Sequence, residues 1–295
     1  MWSQGDQVLY WADIGRKRVY SCAWPARRHK LLHEGFEVTG LVCHESGGFV
    51  VVNSGGVWLW DGEKDRHLIA EEGDGHKCVL NDCVADPGGR VFSGSCFYDP
   101  NRDDYPFGCL FRINTDASVQ VVDDGIQLSN GLAFSPDDRT LYFADSAARL
   151  IYAYDYRQSD GSVSNRRIFV HVPAEEGIPD GLAVDSQGFV WSAQWFGGCI
   201  VRYDPDGSVE RRVLIPASQT SSLAFGGPDL TDIFVTSASL TDALPLAPHG
   251  YDPQVGYVGG KLFHLNLGIS GKGEHLARIA AIPGDKQPRG ESSPV

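Results

Sequence analysis

The stretch NGLAFSPDDRTLYFADSAARLIYAYDY (130–156) decides the fold. It holds three short apolar runs, near 131–134, 140–145 and 150–155. The runs are too short for helices and rich in aromatic residues, so they read as strands. Ser135-Pro136-Asp137-Asp138 separates the first two with turn chemistry. DGLAVDSQGFVWSAQWFGGCIVRYDPDG (180–207) repeats the plan, with strands near 181–184, 188–194 and 198–203.

The same opening recurs along the chain. TGLVCHESGGFVVVNSGGVWLWDGE (39–63) and NDCVADPGGRVFSGSCFYDP (81–100) begin two earlier copies. SSLAFGGPDLTDIFVTSAS (221–239) opens the last, whose later strand is GGKLFHLNL (259–267). WSQGDQVLYWADIGRKRVYSCAW (2–24) makes six. Gly40, Asn81, Asn130, Asp180 and Ser221 mark the copies, at spacings of 41, 49, 50 and 41 residues. A β-sheet unit with a period of 40–50 residues is the signature of a β-propeller. One small twisted sheet cannot bury both its faces, whereas radial packing of blades buries them. The first strand of each blade should line the central channel, with small or polar residues facing it.

A polar residue keeps one register in three of these copies. Asn81, Asn130 and Asp180 each stand five residues before a turn entry, at Asp86, Ser135 and Asp185. Side chains in a shared register face a shared axis, and two amides with a carboxylate suit a hard cation. Asp180 is the only carboxylate of the three and hence the candidate general base.

Bulk properties bound the function. The chain has 295 residues, 42% of them hydrophobic, enough for a large soluble core. A net charge of −13 disfavours nucleic acid as a partner. No apolar run is long enough for a membrane span. Residues 1–14 lack the basic and apolar regions of a secretory signal. Seven cysteines form no CxxC pair and are odd in number, which fits reduced thiols and a cytoplasmic location.

LYWADI, NDCVADPGGR, SNGLAFSPD, IPDGLAVDSQGFVW and FGGPDLTDIFVTSA resemble blade signatures of the senescence marker protein (regucalcin), gluconolactonase and luciferin-regenerating enzyme family. The resemblance runs along nearly the whole chain. It implies an all-β, six-bladed propeller with one divalent cation near the channel mouth. Ca²⁺ is the first expectation, with Zn²⁺, Mg²⁺, Mn²⁺ and Fe²⁺ as alternatives. The family's metal-binding Asn and Asp fall on Asn130 and Asp180, and its second Asn, which contacts substrate or metal, on Asn81. A single propeller domain is expected over 1–284, with a disordered tail over 285–295.

Two departures stand out. The family's metal-binding Glu belongs three residues upstream of Met1, and the N-terminal strand that helps close the last blade is missing or truncated. Either the true start lies upstream, or the metal site is weakened. Where relatives carry a substrate-binding Arg, this chain has Val79, which removes a bidentate donor. The loop over 96–108, with Phe97, Tyr98, Asp99 and Tyr105, is expected to wall the pocket. Asp99 falls where some relatives place a substrate-binding Glu. Trp195 should form an apolar side of the pocket. Residues 240–260 read as an exposed loop, with His249 solvated, and Arg27 to Lys30 as a solvated turn.

Together these readings predict a metal-dependent hydrolase that opens the ring of a small lactone, a sugar lactone first, by metal polarisation of the carbonyl with Asp180 as general base. A non-catalytic binding propeller and an organophosphate or ester hydrolase are the alternatives.

Overall fold

The computed structural model describes residues 1–97, 105–239, 246–252 and 256–280. Six antiparallel sheets follow one another along the chain, over residues 2–34, 40–70, 80–126, 129–171, 178–214 and 220–266, here called blades I to VI. A two-stranded ribbon, Glu72–Gly73 with His76–Lys77, lies between blades II and III. In every blade the strands stand in sequence order, so each blade is a meander.

The blades form a ring because each buries its faces against both neighbours. The core divides into six clusters, one at each blade junction. Val19, Leu41 and Trp60 join blades I and II. Val50, Val91 and Phe111 join II and III. Phe92, Phe134 and Tyr154 join III and IV. Ile151 and Val201 join IV and V, and Trp191 with Ile233 joins V and VI. Trp2, Leu9 and Phe234 close the ring between VI and I. There Trp2 stacks on Phe234 at 5.8 Å, and Trp24 Nε1 donates to Asp232 Oδ2 at 2.9 Å. The chain is thus a six-bladed β-propeller.

Blades I to V have four strands, not the three of the sequence template, while blade VI has three among the described residues. The unread strands are the outer ones, such as Ser162–His171 and Val209–Leu214. They are largely exposed and charged, so they carry no apolar alternation for a sequence reading to catch. Arg28, His29 and Lys30 belong to one of them, Arg28–Glu34, and not to a turn. The inner strand of blade I is short, Trp2–Ser3.

After blade VI the chain crosses the lower end of the channel. Lys272 N donates to Val184 O, Ala277 N to Cys43 O and Arg278 N to Gly89 O, so the segment touches blades V, II and III in turn. Nothing in the repeat announced this strap. The seven cysteines are all free. Among the described residues no helix is long and apolar enough to cross a membrane.

Candidate functional site

Four inner strands break register at the same place. The slips lie between Leu80 and Cys83, Ser129 and Leu132, Pro179 and Leu182, and Thr220 and Ser222. A β-bulge leaves a residue unpaired and re-aims its side chain. Here the bulges carry Asn81, Asn130, Asp180 and Ser221 off the ladder to line one cavity at the channel mouth, of about 450 Å³. The three residues picked out by register are therefore brought together.

The inner strands approach closely at these bulges. A Cβ on Gly131 would collide with the Leu182 backbone nitrogen, and one on Gly181 with Ser222 Oγ. Glycine follows the polar residue in blades IV and V because the neighbouring blade fills the space of a side chain. In blade III the same position is Asp82, whose side chain lines the cavity. Asp82 was missed on the sequence. The exchange of Asp for Gly inside an otherwise regular phrase was the signal that could have found it.

Hydrogen bonds lock the amides together. Asn81 Nδ2 donates to Asn130 Oδ1 at 2.7 Å and to Ser129 O at 2.8 Å. Asn130 Nδ2 donates to Ser146 Oγ at 2.7 Å, and Ser146 Oγ to Pro179 O, next to Asp180. The relay spans blades III, IV and V and fixes which way each amide faces. Ser221 Oγ lies 2.9 Å from Thr236 Oγ1, placing a hydroxyl pair on the far side of Asp180.

The two carboxylates are differently provided for. Burial holds Asp180 well above the usual carboxylate range, and the charge of Asp82 pushes it further. Burial also raises Asp82, to about 6. Among the described residues no Lys, Arg or His side chain forms an ion pair with either. The buried amino terminus of Met1, which lines the same cavity, offsets part of the rise at Asp82. No cation acts on Asp180 among the described residues, and a carboxylate left uncompensated inside a cavity is costly unless a cation arrives. The oxygens of both carboxylates and the amide oxygens of Asn81 and Asn130 make an oxygen-only donor set, the chemistry of a hard divalent ion. Among the described residues no three His, Cys, Asp or Glu side chains are grouped to hold a metal, so the amides are needed. On these grounds the residues fit such an ion.

Below the polar ring the channel turns apolar, contrary to the expectation of small or polar lining. Leu41, Cys83, Leu132, Leu182 and Leu223 line it two residues further along each strand. Trp195 pairs with Ile178 and lines the cavity, on the strand beside the one that carries Asp180. Tyr98 and Asp99 lie outside the described residues. Phe97 and Tyr105 are half-buried but do not line the cavity. His249 is exposed, as expected. The 240–260 stretch is not simply an exposed loop, because Leu246 reaches the cavity wall.

Residues 1–239 match the family described as the SMP-30/Gluconolactonase/LRE-like region. The chain belongs to this family. It is 36% identical to pentonolactonase XacC of Haloferax volcanii, over 95% of this chain and 93% of that one. It is 33% identical to 6-deoxy-6-sulfogluconolactonase of Pseudomonas putida, over 81% of each. Among solved structures it resembles a luciferin-regenerating enzyme, with a TM-score of 0.83, 27% identity and 94% of both chains covered.

Proposed function

We propose that this protein is a lactonase, opening the ring of a small sugar lactone at the channel mouth. The observation that carries the reading is the buried carboxylate of Asp180, without a cationic partner among the described residues, beside two locked amides. Membership of a family whose relatives include a pentonolactonase and a sulfogluconolactonase supports the reaction class.

Asp180, Asn130 and Asn81 would hold one divalent cation, for which Ca²⁺ best matches a donor set of oxygens alone. Such an ion, when bound, polarises the lactone carbonyl. Asp180 as carboxylate takes a proton from the attacking water at a carboxylate oxygen. The water oxygen bonds to the carbonyl carbon, the ring C–O bond breaks, and Asp180 returns the proton to the leaving ring oxygen. Asn81 and the Ser221–Thr236 hydroxyls offer polar contacts to the substrate, and Trp195 an apolar wall. On the resemblance, Asp99 offers the substrate an acidic contact. Asp82 keeps a second negative charge close, which favours cation binding.

The test is a hydrolysis screen with a pH indicator over pentono- and hexonolactones, aryl esters and an organophosphate, with Ca²⁺ and with EDTA. Turnover of a sugar lactone that EDTA abolishes is expected. Turnover of the organophosphate alone, or none with any metal supplied, overturns the proposal.

A further inference from the structure

Arg149 sits in the turn between strands Thr140–Asp145 and Leu150–Arg157 of blade IV, in the left-handed region at φ 58°. Its guanidinium reaches out of its own blade. Nη1 donates to the carbonyls of Pro173, Glu176 and Gly177, at 3.3, 3.3 and 3.1 Å. Nη2 donates to Leu246 O at 2.7 Å. The first three carbonyls belong to the linker that leads into Ile178–Val184, the strand carrying Asp180. The fourth belongs to the segment after blade VI's second strand, and the Leu246 side chain lines the same cavity as Asp180 and Trp195.

A surface arginine ordinarily answers a carboxylate. Arg149 forms no ion pair among the described residues and spends its donors on backbone carbonyls of two separate segments. A planar fork suits that task, because its donors point along fixed directions. Burial lowers its pKa, as expected for a cation drawn into the protein. The segment it holds is docked a second time. The Tyr251 ring packs on Phe196 at 4.7 Å, and its hydroxyl lies 3.2 Å from Ser218 Oγ and 3.3 Å from Gln219 Nε2.

We propose that Arg149 is a positioning residue that sets the size of the substrate pocket. It ties the entry of the Asp180 strand to the segment bearing Leu246, so that Leu246 stands as a fixed wall and admits compact lactones over those with long alkyl tails. The proposal rests on the lactonase reading and adds a specificity determinant to it.

Arg149→Ala, Arg149→Lys, Leu246→Ala and the Arg149→Ala/Leu246→Ala double variant are compared on a pentonolactone and on a lactone with a long alkyl tail. Arg149→Ala should raise KM for the compact lactone about tenfold with kcat nearly unchanged, the pattern of lost ground-state fit. The kcat/KM ratio should shift toward the tailed lactone, by a similar factor in Leu246→Ala. The double variant should add little to either. Arg149→Lys, which keeps the charge but loses the fork, should fall between. Amide hydrogen exchange over 246–252 should quicken in Arg149→Ala.

A selectivity ratio that moves in Leu246→Ala but not in Arg149→Ala overturns the tie. A ratio unmoved in both overturns the wall, and so does a loss confined to kcat. Should the unaltered protein open no lactone at all, the lactonase reading has failed. The exchange measurement then still decides the tie, which unchanged protection over 246–252 would refute.

Discussion

Asp180 and Asp185 stand five residues apart on one stretch of blade V, at opposite ends of the channel. Asp185 is fully buried and fully answered. Its Oδ2 accepts from Trp191 Nε1 at 2.9 Å and Arg202 Nε at 2.8 Å, and its Oδ1 from the amides of Gln187 and Phe189. Asp86 has the same place in blade III, accepting from Arg90 and from Tyr156. Asp180 has no such partners, and its pKa is driven up by burial and by Asp82. The chain itself neutralises Asp185 and Asp86 at the lower end of the propeller, whereas Asp180 at the mouth has no cationic partner among the described residues. Asp185 ties strands within blade V and Asp86 joins blade III to Tyr156 of blade IV, whereas the proposed role of the upper set is to receive a ligand.

Substitution at the two ends should therefore fail in opposite ways. Asp180→Asn keeps the volume and removes the charge. Its kcat/KM should fall by at least about 10³-fold, some 4 kcal/mol of barrier. Its unfolding midpoint in urea should not drop, since an uncompensated buried charge has been removed. Activity within tenfold of the unaltered protein would break the assignment of Asp180 as base.

Asp185→Ala takes from the Arg202 guanidinium, which is 4% exposed, its buried carboxylate and leaves it only the Glu210 carboxylate, at 3.4 Å. A loss of about 3–5 kcal/mol in urea unfolding is expected, as for other buried pairs broken on one side. Loss of activity without loss of stability would place Asp185 in the chemistry and erase the contrast.

Cation supply sharpens the comparison further. Calcium at about a hundredfold over its dissociation constant should add about 2.7 kcal/mol to stability, by mass action on the folded state alone. Asp180→Asn should lose most of this gain, and EDTA should remove it in the unaltered protein. An undiminished response in Asp180→Asn would put the ion elsewhere.

The sequence disclosed the mouth better than the rest of the site for a physical reason. The bulges recur, so Asn81, Asn130 and Asp180 repeat within a repeated phrase, and register alone connects them. Asp82 does not repeat. It stands where blades IV and V carry Gly131 and Gly181, and a search for likeness passes over a single exception. Arg149 acts through backbone carbonyls, whose identity leaves no trace in side-chain patterns. Inner and middle strands were legible because both faces are buried against neighbours and read as continuous apolar runs. Outer strands such as Val209–Leu214 meet water along most of their length and look like loops.

Those outer strands supply the smallest expected effect and the control for both ends. Leu214 closes the outer strand of blade V and is 82% exposed, although its backbone pairs with Cys199. Leu214→Lys removes no buried contact and leaves no polar group unsatisfied. It should change urea stability by no more than about 0.5 kcal/mol and leave lactone turnover intact. The strand edge keeps its ladder, because the pairing groups belong to the backbone and not to the leucine. A loss above about 1 kcal/mol that depends on protein concentration would mean that a second copy covers this rim. Stability would then reside at the circumference as well as at the blade junctions, and the two-ended division of labour would need a third member.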